Sequence, residues 1–382
     1  MADFPPFIDF PFLRCYTHDI RKEATFRRHI MLNPTVMIGM SGGVDSSVAA
    51  MLLKQRGMDC AGATMQLWGG GDPTDARTIA AQLGIPHFVL ELQEEFKNRV
   101  VNRFVEAYEQ GLTPNPCILC NKTMKFGLML EKAQAIGYDY VATGHYAKIT
   151  RDPDSGRYLL KKAGDPAKDQ TYFLYRLSQD QLAHTLFPLG ELHKDQIRVM
   201  AEENGLITAH KRDSQDICFI PDGDYTAFLR QYTGKQYPSG EFVDLNGKVL
   251  GTHCGAVNYT IGQRRGLGIA LGEPAYVCGK DMKANRVTLG PNEVLMSPAL
   301  LADEMNWILP PEDQGPIRCS GKIRHSQYEQ PATLYPQPDG SCIAVFDEPQ
   351  RAISPGQAAV FYRGDTVICG GTIRKALSEK DL

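Results

Sequence analysis

Nowhere in its 382 residues does the chain string together the roughly 18 uncharged apolar residues that a membrane-crossing helix needs. It also lacks the clean apolar core of an export signal, because MADFPPFIDFPFLRCYTHDIRKEATFRRHIM mixes acids and prolines into its hydrophobics. A cytoplasmic protein with no membrane partner is expected. Basic excess is missing as well: the net charge is −3, whereas a dedicated nucleic-acid binder is usually basic overall, so any such contact must come from local patches. There is no internal repeat and no low-complexity tract.

Ten cysteines could suggest a disulfide scaffold, but they are spread over a long chain with 13 methionines and no export signal, so most should be reduced. Cys15, Cys60, Cys254, Cys278, Cys319, Cys342 and Cys369 have no motif around them and read as small buried hydrophobes or tolerated surface thiols. Cys117 and Cys120 differ, standing three apart in NPCILCNK. A structural zinc wants four ligands, yet no second Cys-x-x-Cys exists and His145 has no histidine three to five residues on. A thioredoxin-like pair would open the helix after the first strand, and this pair comes four elements later. A disulfide or a nucleophile remains open on these residues alone.

What is present is ordinary globular composition, 43% hydrophobic and 22% charged, with length for two or three domains. From residue 35 to about 145 strand-like runs alternate with helical ones. TVMIGM, CAGATMQLW, PHFVLEL and DYVATGH read as strands; SSVAAMLLKQRG, DARTIAAQLG, Glu94 to Gln110 and about Thr123 to Ile136 read as helices. That alternation implies an α/β fold with a doubly wound parallel sheet and a ligand site at the strand C-terminal ends. Beyond about residue 225 short strands broken by Gly and Pro predict a small mixed α+β module and then a β-barrel. The expected divisions are an N-terminal extension at 1–33, a nucleotide-binding domain at 34–225, a central module at 226–294 and the barrel at 295–382. The extension could equally be an over-called start, with Met31 as the initiator.

The segment VMIGMSGGVDSSVAAMLL places Ser41-Gly42-Gly43-Val44-Asp45-Ser46 between a strand and a helix. Two glycines let a ligand approach the backbone, and helix-start N–H groups with the Ser41 and Ser46 hydroxyls make an anion cradle. The plainer alternative is a tight turn with Asp45 or Ser46 as N-cap. No lysine follows the second glycine, so this is not the loop of ordinary nucleotide triphosphatases. The string resembles the PP-loop of ATP pyrophosphatases, which cleave ATP between the α and β phosphates. That resemblance implies ATP contacts at Gly39, Met40, Ser41, Gly42, Gly43, Val44, Asp45 and Ser46, with Met65 and Gly144 at later strand ends, and Mg²⁺ placed with ATP by Asp45.

Behind this loop come, in order, TPNPCILCNK, ATGHYAKI, KDQTYFLYRLS, LFPLGELHKDQIR, DSQDICFI, YTIGQRRGLGI and SPGQAAVFY. Together they resemble the tRNA-specific 2-thiouridylase family from about Thr35 to the end. The resemblance implies ATP-dependent adenylation of the C2 oxygen of the wobble uridine, then sulfur transfer from a cysteine persulfide. Matched by motif, Cys218 carries the persulfide and Cys120 is the nucleophile that forms a transient disulfide with it. On its own Cys218 would read as a buried cysteine in a strand. Asn115, Pro116 and Cys117 face the target base, and further tRNA contacts fall at His145, Lys168, Asp169, Gln170, Arg324, His325 and Gln357. GQRRG at 262–266 and HKR at 210–212 are candidate phosphate contacts or simply solvated basic turns. The wobble base is expected to flip out of its stack. The implied partners are wobble-uridine tRNAs for Glu, Lys and Gln and an upstream sulfur-relay protein or cysteine desulfurase, with the enzyme a monomer. Rival readings are another PP-loop tRNA thiolase and a non-catalytic tRNA-binding protein.

Overall fold

A computed structural model describes residues 33–69, 72–211, 217–311 and 315–382. All but Asn33 of the expected N-terminal extension lies outside them. The first strand, β1 (Thr35–Gly39), has Val36, Met37 and Ile38 fully out of solvent, as a central strand covered on both faces must. β2 (Asp59–Gln66), β3 (His87–Glu91), β4 (Tyr140–Ala142) and the two-residue β7 (Thr185–Leu186) complete a parallel sheet in the order β3-β2-β1-β4-β7. Strands are added outward from β1 on one side and then, with β4, on the other. The crevice between the C-terminal ends of β1 and β4 is therefore the switch point where such sheets bind ligands.

Helices Val44–Gln55, Thr74–Leu83 and Lys194–Glu203 cover one face through Val48, Ile79 and Ile197. The opposite face is covered by a helix of three abutting segments, Pro116–Cys120, the π-helical Asn121–Leu128 and Met129–Ala135. The sequence pattern predicts this helix only from about Thr123. It starts earlier because Asn115 Oδ1 accepts from the Cys117 N–H at 3.1 Å and Pro116 takes the first helical position, where its missing N–H matters least. The whole NPCILCNK pair thus lies in the opening turns of a helix.

Between β4 and β7 runs a hairpin of β5 (Lys148–Arg151) and β6 (Tyr158–Lys161). A four-stranded sheet follows from β8 (Gly240–Val243), β9 (Val249–His253), β10 (Tyr276–Asp281) and β11 (Arg286–Gly290). The helix Tyr225–Thr233 leads into it, capped by Asp224 and ended at Gly234 with φ 67°. Six strands then close a barrel: β12 (Met296–Trp307), β13 (Ile317–Lys322), β14 (Gln330–Pro336), β15 (Cys342–Arg351), β16 (Ala358–Arg363) and β17 (Thr366–Leu377), with β12 paired to both β15 and β17. The barrel sheet is not confined to its own segment, since Lys161 of β6 pairs with Thr366 of β17. Tyr172 and Tyr175 pack with Val360, Tyr362 and Val367 in one buried cluster, and the Tyr172 hydroxyl donates to Ala358 O at 2.9 Å. Each such buried side chain contributes on the order of 1.5–3 kcal/mol.

Candidate active site

The phosphate loop follows β1. Gly42 adopts φ 72°, a conformation that glycine takes without strain, and Gly43 caps the helix Val44–Gln55 without offering a side-chain oxygen to its first turn. Asp45 and Ser46 are thus in the helix, and neither is the N-cap. The Ser46 hydroxyl donates to Gly43 O at 3.1 Å and accepts from the Ser41 N–H at 3.3 Å, drawing the loop into a ring around the helix start. Lys211 Nζ donates to Gly42 O at 3.1 Å and pairs with Asp75, which puts a cation at the rim of this cradle. Arg212 lies outside the described residues.

Across the switch point, Gly144 presses on this helix. A Cβ there would sit 2.7 Å from the Asp45 carbonyl carbon and 2.8 Å from the Ser46 nitrogen, so only glycine fits without moving the loop. Asp45 Oδ1 accepts from the Tyr146 hydroxyl and from Lys194 Nζ, each at 2.7 Å. Both bonds fall on the same oxygen. A single carboxylate beside a phosphate cradle is the kind of protein donor Mg²⁺ takes when it comes with nucleotide phosphates, so the site fits that ion. Gly39 and Met40 lead into the loop, Met40 being buried with its carbonyl accepting from Thr64 Oγ1 at 2.8 Å. Met65, at the end of β2, packs against the two apolar clusters that flank it.

His145 sits between these groups and the thiols. Its Nε2 faces Lys125 Nζ at 3.5 Å and its Nδ1 faces Thr143 Oγ1 at 2.7 Å. Lysine only donates, so Nε2 accepts and Nδ1 carries the proton to Thr143. Burial, and then Lys125, hold this imidazole well below its ordinary value, which keeps it neutral.

The same Lys125 ammonium acts on Cys117, Cys120 and Cys218, drawing each thiol towards ionisation against the burial that pushes all three up. Cys120 is buried among Phe96, Met124 and Phe219 and is pushed up to about 12. Cys117 and Cys218 keep contact with solvent, and each influences the ionisation of another thiol of the trio. Cys218 lies outside any strand. The π-helical turn, with its bonds closing five residues on, carries Lys125 round to the side of Cys120. Gln181 braces that turn, its Nε2 donating to Lys122 O and Phe126 O at 2.8 Å each.

The remaining candidates line the seam between sheet and barrel. Gln170 Oε1 accepts from the Tyr146 N–H at 2.9 Å, and the Asp169 carboxylate accepts from the Ala163 N–H and the Thr171 hydroxyl. Lys168 precedes them, half-buried. His325 lies against the Phe173 ring, centroids 4.4 Å apart, with Nε2 at 3.4 Å from Asp169 O. Gln357 Nε2 donates to Thr113 O at 2.9 Å, just ahead of Asn115 and Pro116. Arg324 is turned inward, Nη2 donating to Arg351 O and Ala352 O at 2.7 and 3.0 Å. Arg264 and Arg265 are exposed on the central module.

Family models match the whole of this arrangement. One described as a tRNA methyl transferase HUP domain covers residues 34–222, a tRNA methyl transferase PRC-barrel domain covers 226–291 and an aminomethyltransferase beta-barrel domain covers 297–373. A relative named tRNA-specific 2-thiouridylase MnmA, from Clostridioides difficile, is 48% identical over 361 residues, spanning 91% of this chain and 100% of its own. Another of that name, from Geotalea uraniireducens, is 48% identical over 362 residues, spanning 90% and 96%. The chain belongs to the tRNA-specific 2-thiouridylase family. Among solved structures, a 4-thiouridine synthetase–RNA complex with bound ATP is a remote likeness, with a TM-score of 0.36 at 19% identity over 52% of this chain and 50% of that one.

Within this 2-thiouridylase three site groups escape sequence reasoning. Lys125 is one lysine among several on a helix, and only the π turn aims it. Lys194 and Tyr146 stand in the motifs ELHKDQIR and GHYAKI, but nothing in their spacing says that both converge on Asp45.

Proposed function

We propose that this enzyme converts the wobble uridine of tRNA to 2-thiouridine, using ATP, and that residues 41–46, Cys120 and Cys218 carry the chemistry. One observation supports this most: three consecutive residues couple the two half-sites. Gly144 packs on Asp45, Tyr146 bonds its carboxylate, and His145 between them engages the lysine that faces the thiols. Adenylation and sulfur transfer need such adjacency, because an O-adenylated base must meet its nucleophile before water does.

The C2 oxygen of uracil is a poor leaving group, so its attack on the α-phosphorus of ATP, with loss of pyrophosphate, turns it into AMP. The loop N–H groups and the Ser41 and Ser46 hydroxyls hold the departing pyrophosphate. Asp45 would hold Mg²⁺, which supplies charge neutralisation at the phosphates when bound. The terminal sulfur of a Cys218 persulfide attacks C2 and AMP leaves. Cys120 then attacks Sγ of Cys218, forming the Cys120–Cys218 disulfide and releasing the base as its thiolate. Lys125 favours the sulfur anions throughout. The exposed Cys218 is open to a persulfide donor, an upstream relay protein or desulfurase. Asn115 to Cys117, His145, Lys168 to Gln170, His325 and Gln357 line the approach of a flipped base in tRNAs for Glu, Lys and Gln. Arg324 supports the loop beneath His325. The enzyme acts as a cytoplasmic monomer.

Mass spectrometry of nucleosides from tRNA incubated with the enzyme, ATP, Mg²⁺ and a persulfide donor tests this. 2-Thiouridine is expected with wild type and absent with Cys218→Ser, which still releases pyrophosphate. Formation of 4-thiouridine or 2-thiocytidine instead would overturn the substrate, and full activity of Cys218→Ser would overturn the persulfide site.

A further inference from the structure

Cys117 has no part in the chemistry above, yet it stands in the same cluster. Three features set it apart from Cys120. It is exposed whereas Cys120 is buried. Burial pushes its thiol up, and its place in the first turn of a long helix, with Lys125 acting on it, offsets part of that rise. It sits one turn before Cys120 on the same helix, where Cβ atoms stand about 5–6 Å apart, so a disulfide closes once the helix start yields by about 1–2 Å.

These features bear on a step that sulfur release leaves unfinished. The reaction ends with Cys120 and Cys218 joined, and Cys218 cannot accept fresh sulfur until that bond opens. Cys120 is buried in one cluster with Phe96, Met124 and Phe219, so an external reductant reaches the bond only from the Cys218 side, where attack must displace the poorer leaving group, the buried Cys120 thiol.

Resting on the reading of that disulfide, we propose that Cys117 resets the enzyme: it opens the Cys120–Cys218 disulfide from within and hands the oxidised state to solvent as a Cys117–Cys120 pair. The Cys117 thiolate attacks Sγ of Cys120. One S–S bond forms and one breaks, Cys218 departs as a thiolate and takes a proton from water, and no net oxidation occurs. Cys218 is the better leaving group of the two, because the solvent-touching thiol parts with its proton more readily than the buried one. An external dithiol then attacks the exposed Cys117 sulfur and supplies the two electrons that return both cysteines to thiols. Cys218 is already free to be reloaded. The Cys-x-x-Cys spacing thereby regains a purpose.

The test is one turnover of persulfide-loaded enzyme with tRNA and Mg²⁺·ATP, without reductant, quenched in acid, alkylated and digested with trypsin. Cys117 and Cys120 share the peptide 104–122, so their disulfide appears as a loss of two hydrogens within one peptide, whereas Cys120–Cys218 links two peptides. Wild type should show the first, with Cys218 alkylated, and Cys117→Ser the second. With a dithiol present, Cys117→Ser should lose roughly tenfold more in steady-state turnover than in its first turnover. A wild-type enzyme left with Cys120–Cys218 or Cys117–Cys218, or equal losses in the two phases, would overturn the proposal. Should Cys117→Ser fail to fold, the wild-type map decides alone. No disulfide in either protein, despite 2-thiouridine formation, would count instead against the transient Cys120–Cys218 bond itself.

Discussion

Lys194 Nζ donates to Asp45 Oδ1 at 2.7 Å and joins the first turn of the phosphate-loop helix to the helix Lys194–Glu203. Lys194 is buried while the Asp45 side chain keeps 30% exposure, so the pair is only partly shielded from water. Replacing Lys194 with Met leaves a carboxylate beside the triphosphate without its fixed counter-charge. The expected loss is roughly 1–3 kcal/mol in stability, less than for a fully buried pair. Without Mg²⁺, ATP should also bind about tenfold or more weakly, because Asp45 then repels the phosphates. Thermal melting and equilibrium ATP binding measure the two. Unchanged ATP affinity would show that Asp45 lies away from the nucleotide.

Gly144→Ala tests the close approach across the switch point. The added methyl meets the Asp45 and Ser46 backbone, which cannot rotate aside as a long side chain could. The loop must shift, and a displacement of even about 1 Å at a preorganised site can cost on the order of 100-fold in rate. Pyrophosphate release should fall steeply while circular dichroism still reports a folded chain. Wild-type release would mean that the loop yields without penalty.

Burial of Cys120 gives a pH signature. Its thiol moves from 9.0 to about 12 on folding, so between those values the unfolded chain has lost a proton that the folded chain keeps. Stability from this group is whole below pH 9 and declines as pH rises towards 12, by at most roughly 4 kcal/mol. The alkaline limb of a melting profile should flatten in Cys120→Ala. At pH 8, iodoacetamide should label Cys117 and Cys218 about tenfold or more faster than Cys120. Faster labelling of Cys120 would refute the buried placement.

The sheet was legible because β1 and its neighbours are continuous apolar runs punctuated by helix-stopping glycines such as Gly84, which has φ 63°. The strand–loop–helix turn at 41–46 was legible for a local reason: it is built from consecutive residues. Lys125 was not, because its aim depends on a π turn braced by Gln181 from a distant helix. The early start of the cysteine helix was hidden by its two prolines, which suggest a turn until Asn115 is recognised as a cap. The hairpin β5–β6 belongs by sequence to the nucleotide-binding half and by hydrogen bonding to the barrel, a division that periodicity cannot express.

That hairpin makes the molecule a fixed gauge. Swinging the barrel from the nucleotide-binding half would unzip Lys161 from Thr366 and pull Tyr172 and Tyr175 out of their apolar bed. The seam at His325 and Gln357 is therefore held against the helix that carries Cys117 and Cys120, where Gln357 Nε2 donates to Thr113 O. If the proposed grip at that seam holds, an anticodon loop has to supply the movement itself, and a stiff loop would be rejected for its rigidity even where its bases are right.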